Sequence, residues 1–171
     1  MPANPPAPPS PTFRVLFVCM GNICRSPTAH GVFETWVRDA GLAAWIEVDS
    51  AGTHGYHVGS PPDERTQRHA LRRGYDLSQQ RGRLLTADDF AQFDLVLTMD
   101  QDNLARAEDL CPTGHRHKLR PFADFFRRSD LRSVPDPYTG GPAGFELVLD
   151  LAEDGSEELL RQIRLQLKRP D

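Results

Sequence analysis

The chain has 171 residues, 39% of them hydrophobic and 26% charged, and a formal net charge of −4. That is enough chain for one well-buried core and too little for two comfortable domains, with the composition of an ordinary globular protein. The acidic balance excludes the basic footprint of a nucleic-acid binder, and no apolar run approaches the roughly 20 residues of a membrane span.

Residues 1–12 contain Pro2, Pro5, Pro6, Pro8, Pro9 and Pro11. They read as a loose, extended tail ahead of a single domain at 13–169. The tail has neither the cationic nor the apolar part of a signal peptide. With three cysteines (Cys19, Cys24 and Cys111), the expectation is a cytoplasmic protein with reduced thiols. A buried-type strand at 14–18 runs into Cys19-Met20-Gly21-Asn22-Ile23-Cys24-Arg25-Ser26-Pro27. A helix is predicted over 27–40, with Ser26 as N-cap, Pro27 in its first turn, and Ala29, Val32, Phe33, Trp36 and Val37 on one face. A strand follows at 45–50, then an Ala51-Gly52 turn and a helix at 62–73 stopped by Gly74. Beyond it lie a short helix at 87–92, a strand at 93–99, a short helix at 100–109 and a weaker strand at 117–120. The last helix spans 144–167, broken or loosened near Gly155. Alternating strands and helices argue for a parallel sheet covered on both faces, with ligands bound at the edge where the strands end.

The loop after the first strand carries the chemistry. Gly21 and Asn22 readily take positive φ, so successive N–H groups can turn inward and cradle three phosphoryl oxygens. Arg25 adds a planar fork for two of those oxygens, and the helix that follows brings the positive end of its dipole. All of these favour an anion in the loop and the thiolate form of Cys19, and Ser26 can donate its hydroxyl to the sulfur. A proton donor for the leaving group is available in Val134-Pro135-Asp136-Pro137-Tyr138, where two prolines stiffen the backbone around Asp136. Asp100 is the next candidate.

From these motifs, together with Ser50-Ala51-Gly52-Thr53 and Thr98-Met99-Asp100, the chain resembles the low-molecular-weight protein tyrosine phosphatases from about residue 13 to 168. The resemblance implies a four-stranded parallel sheet with helices on both faces, a flavodoxin-like three-layer α/β sandwich, with no metal or cofactor. It implies that Cys19 is the nucleophile forming a phosphocysteine, that Arg25 holds the phosphoryl group, and that Asp136 is the general acid and base. Met20, Gly21, Asn22, Ile23, Cys24 and Ser26 would form the substrate loop, and Tyr56 and Tyr138 would flank the substrate ring. The implied enzyme is a monomer acting on phosphotyrosine in proteins.

Two positions depart from the family pattern. Thr139 stands where many relatives have a second aromatic residue. Arg73 stands where some have a histidine, which questions a histidine-supported loop network. Other readings remain open at this stage. Arginine phosphatases of the same family tend to have threonine in place of Ile23. Arsenate reductases need relay cysteines, and only Cys111 lies outside the loop. A non-catalytic phosphate-binding module would not be expected to keep nucleophile, arginine and acid together. Cys24 could pair with Cys19 or simply pack under the loop. His54 with His57, and His115 with His117, read as surface histidines rather than metal ligands.

Overall fold

The computed structural model describes residues 13–167; the proline-rich segment 1–12 and residues 168–171 lie outside the described residues. Strand β1 (Phe13–Cys19) is flanked by β2 (Ile46–Gly52) on one side and by β3 (Leu95–Thr98) on the other. Strand β4 (Leu119–Pro121) pairs with β3, so the order is β2-β1-β3-β4 and every pairing is parallel. A central strand covered on both faces needs an unbroken apolar run, and Val15, Leu16, Phe17 and Val18 supply it, all wholly buried.

Alternation along β1 assigns its side chains to two cores. Val15, Phe17 and Cys19 face Phe33 and Val37 of α1 (Arg25–Asp39) and Leu151, Leu159 and Ile163 of α5 (Pro142–Leu167). Leu16 and Val18 face the other way, toward Phe90 of α3 (Asp89–Gln92), Ala107 of α4 (Gln101–Leu110) and Cys111. Helix α2 (Glu64–Arg72) packs on α5, and its Ala70, with Tyr75 and Leu77 just beyond it, clusters with Val32 of α1 and Leu149 and Ala152 of α5. The result is the expected three-layer α/β sandwich. The chain turns toward β2 from one side of β1 and toward β3 from the other, which leaves a crevice at the C-terminal ends of β1 and β3.

Several boundaries differ from the sequence reading, each for a packing reason. Helix α1 begins at Arg25 with Cys24 as N-cap, because Thr28 already donates to the Cys24 carbonyl; Ser26 lies inside the first turn and caps nothing. Strand β2 runs on to Gly52, where Ala51 and Gly52 pair with Val18 and Cys19 instead of turning. Residues 113–118 form a 3₁₀ turn, so β4 starts two residues later than predicted. Helix α5 starts at Pro142 and is unbroken through Gly155, whose missing side chain admits the ring of Phe122. Among the described residues, no helix is long and apolar enough to cross a membrane.

Candidate active site

The loop between β1 and α1 owes its shape to its carbonyls. Those of Cys19 and Met20 accept from the Thr53 and His54 amides at 2.9 and 3.0 Å, and that of Ile23 accepts from Asp63 N at 2.9 Å. The Cys24 carbonyl accepts from both the amide and the hydroxyl of Thr28, at 3.1 and 2.7 Å. In a trans peptide the next N–H points opposite to the carbonyl, so the amides of Met20, Gly21, Cys24 and Arg25 turn toward the hollow. Asn22 makes the turn possible with φ of +58°, the sole positive value at a non-glycine among the described residues. Gly52 lets β2 approach beneath the loop: a Cβ there would stand 2.8 Å from the Met20 carbonyl oxygen.

Cys19 ends β1 at the floor of the hollow, and its Sγ lies 3.0 Å from Ser26 Oγ. The direction of that bond follows from its neighbours. Asn22 Nδ2 donates to Ser26 Oγ at 2.8 Å and to Ser50 Oγ at 3.1 Å. The Ser26 hydroxyl proton is therefore free to point at the sulfur, with the Ala51 carbonyl farther off at 3.5 Å. Asn22 Oδ1 accepts from the Arg83 amide at 3.0 Å, so the whole carboxamide is engaged. Ser50 Oγ is in turn 3.2 Å from His30 Nδ1, and His30 Nε2 is 3.3 Å from Glu34. A histidine thus does stand in the loop network, but it comes from α1. Arg73 is elsewhere, bonded to Glu146, Asp150 and Glu153 of α5. Ser26, His30 and Glu34 are spaced i, i+4, i+8 on one helix, a pattern that could have pointed to His30.

Arg25 is 4% exposed. Its Nη1 donates to Asp100 Oδ2 at 2.5 Å and to the Val134 carbonyl at 3.0 Å, while Nη2 lies 3.9 Å from Asp136 Oδ2. Burial opposes the guanidinium charge, but Cys19, Asp100 and Asp136 outweigh it and hold Arg25 above its ordinary pKa. Asp100 also caps α4 through its other oxygen, which accepts from Asn103 N at 2.8 Å. Both of its oxygens are committed, and it serves as a brace for Arg25. Asp136 by contrast reaches the cleft with a half-exposed carboxyl, and its Oδ1 accepts from the Tyr138 amide at 3.0 Å.

The cleft, about 140 Å³ in volume, is lined by Cys19, Met20, Gly21, Ile23, Cys24, Arg25, Tyr56, His57, Asp136 and Tyr138. Nine of the eleven predicted site residues are on that wall, and the other two, Asn22 and Ser26, support it from beneath. His57 is the addition, lying against Gly21. His54 stacks on Tyr56 with ring centroids 5.3 Å apart. Cys24 is a free thiol, pushed up to about 12 by burial and by the nearby Asp63 carboxylate. Cys111 belongs to the core on the opposite face of the sheet from Cys19.

Inward-turned amides, a buried guanidinium and a thiol at the floor of one hollow make a site suited to a tetrahedral oxyanion. Comparison with known proteins agrees. The family described as low molecular weight phosphotyrosine protein phosphatase matches residues 14–169. The low molecular weight protein-tyrosine-phosphatase of Streptomyces coelicolor is 42% identical over 161 residues, covering 92% of this chain and 97% of the relative. The human low molecular weight phosphotyrosine protein phosphatase is 41% identical over 140 residues, covering 80% and 87%. A protein tyrosine phosphatase from Entamoeba histolytica, crystallised with Hepes in its active site, superimposes with a TM-score of 0.88 at 37% identity, covering 91% of this chain and 99% of that one. The chain belongs to the low molecular weight phosphotyrosine protein phosphatase family, a family of hydrolases.

Proposed function

We propose that the chain hydrolyses phosphotyrosine in proteins through a phosphocysteine intermediate. The observation that carries this reading is the position of Cys19 Sγ at the loop floor, 3.0 Å from Ser26 Oγ, in the cleft that also holds Asp136. The sulfur attacks phosphorus as the bond to the tyrosine oxygen breaks, and Asp136 gives its proton to the departing oxygen. With Nη1 of Arg25 committed to Asp100 and Val134, the Nε and Nη2 edge of the fork meets two phosphoryl oxygens. Water then attacks the phosphocysteine, Asp136 takes its proton, and the Ser26 hydroxyl eases departure of the thiolate. Neither a metal nor a cofactor has a part in these steps.

Ile23, Tyr56 and Tyr138 give the cleft flat apolar walls, which suit an aryl ring better than a guanidinium. This favours phosphotyrosine over phosphoarginine. An arsenate reductase relay through Cys111 is disfavoured, because that thiol lies across the sheet from Cys19. The same reading takes the enzyme as a cytoplasmic monomer that meets phosphoproteins. It also takes the enzyme as redox-sensitive at Cys19, with the Cys24 thiol in the same cleft keeping that oxidation reversible.

The test is Cys19→Ser assayed on a phosphotyrosine peptide. Turnover is expected to vanish while inorganic phosphate still binds, since the cradle is backbone. Substantial residual turnover would refute the covalent mechanism. Wild-type kcat/KM no higher for phosphotyrosine than for phosphoarginine would overturn the substrate assignment.

A further inference from the structure

Asp136 lies midway along a segment with few anchors. At Val134 the backbone is held twice, by its amide donating to the Met99 carbonyl at 2.7 Å and by its carbonyl accepting from Arg25 at 3.0 Å. Four residues on, the Tyr138 amide donates to Asp136 Oδ1, and the Tyr138 carbonyl accepts from Arg65 Nη2 at 2.9 Å. Pro135 and Pro137 restrict φ on both sides of Asp136. Fixing Val134 and Tyr138 therefore fixes the carboxyl between them.

Arg65 is itself held on three sides. Its guanidinium carbon is 5.3 Å from the Tyr138 ring centroid and 4.8 Å from that of Phe145 on α5. Asp63 accepts from Arg65 Nε at 3.2 Å and from Nη2 at 3.1 Å. Asp63 also caps α2, and its own amide donates to the Ile23 carbonyl of the Cys19 loop at 2.9 Å. Contacts thus run without a gap from Ile23 through Asp63, Arg65 and Tyr138 to Asp136.

We infer that Arg65 is a positioning residue for the proton donor, tying the Tyr138 end of the acid segment to the nucleophile's loop through Asp63. This rests on the phosphatase reading above. The Arg65 side chain is 38% exposed, and partly exposed ion pairs of this kind contribute little to global stability. Its effect is geometric: it sets where the carboxyl stands when the leaving group departs.

A displaced acid harms poor leaving groups more than good ones, and a general loss of structure harms both equally. The experiment compares kcat/KM for nitrophenyl phosphate and phenyl phosphate, which share one ring and differ in leaving-group basicity. In Arg65→Ala the nitrophenyl-to-phenyl ratio is expected to rise about 10- to 100-fold over wild type. Arg65→Lys keeps the charge without the fork and is expected to raise the ratio as well. Asp63→Asn retains a good helix cap but loosens the grip on Arg65, so it is expected to shift the ratio in the same direction by less. An unchanged ratio in all three variants, whatever the absolute rates, would overturn the inference. Folded wild-type protein inactive on both esters would instead sink the phosphatase reading beneath it.

Discussion

Asn22 holds the loop in two separable ways, through its backbone and through its carboxamide. The left-handed φ costs an ordinary L-residue about 1–2 kcal/mol, which asparagine tolerates better than most. The carboxamide bonds Ser26, Ser50 and the Arg83 amide, all in or near the buried underside of the loop. Asn22→Gly relieves the backbone and deletes the bonds, whereas Asn22→Ala loses on both counts. The alanine variant is expected to be destabilised by about 2–4 kcal/mol and the glycine variant by less, and both should lose kcat because Ser26 is no longer oriented toward Cys19. Urea unfolding and phosphotyrosine turnover on the same preparations check this. A glycine variant with full wild-type kcat would show that the carboxamide bonds do not matter to the sulfur.

Among the elements, α5 shows how packing overrules propensity. A glycine in the middle of a helix reads as a break, yet a Cβ at Gly155 would come within 2.5 Å of the Phe122 ring, which packs there edge-on with Phe17 and Phe126. Gly155→Ala should gain about 0.5–1 kcal/mol of helix propensity and lose about 1–3 kcal/mol to overpacking. The net expectation is a lower melting temperature, and a rise would show that the ring yields freely. The same logic explains which parts of the molecule were legible beforehand. The contiguous Cys19–Arg25 loop is a local signal that supplies six of the nine cleft residues, whereas Asp136 needs the Pro-Asp-Pro segment, Tyr56 and Tyr138 the family resemblance, and the sheet the alternation of strands and helices. The end of β2 has turn composition in Ala51-Gly52, and only the loop lying above it demands a glycine in a strand. Arg65 has no signature of its own, His30 only the helical spacing from Ser26, and Ser50 and Val134 stand inside motifs that do not announce their bonds. Their importance arises from contacts between elements far apart in the chain.

Across the whole molecule, arginines hold several carboxylates in their ionised form. Glu146 sits below its ordinary pKa through Arg73 first and His69 second. Glu158 is lowered to about 2, chiefly by Arg161. At Asp63 burial works against ionisation, but Arg65 and the α2 amides outweigh it. In each case the unfolded chain takes up protons at a higher pH than the native one, so stability rises with pH across that interval. The contribution is complete above about pH 4.5–5, the upper edge of the ordinary carboxylate range, and is lost as pH falls through it toward the depressed values. Urea midpoints measured at pH 7, 5 and 3 are expected to change little over the first step and to drop over the second. Equal midpoints at pH 5 and 3 would contradict this.

The bond from Arg25 to the Val134 carbonyl spans 109 positions of sequence. On the proposed mechanism, the nucleophile and its arginine leave the ribosome well before the acid and the backbone that steadies the arginine. On that reading, a partly made chain carries the Cys19 thiol without the Asp136 carboxyl or the Val134 carbonyl that completes its cleft. Under the proposed mechanism, turnover has to wait until these two distant stretches of chain have met in the fold.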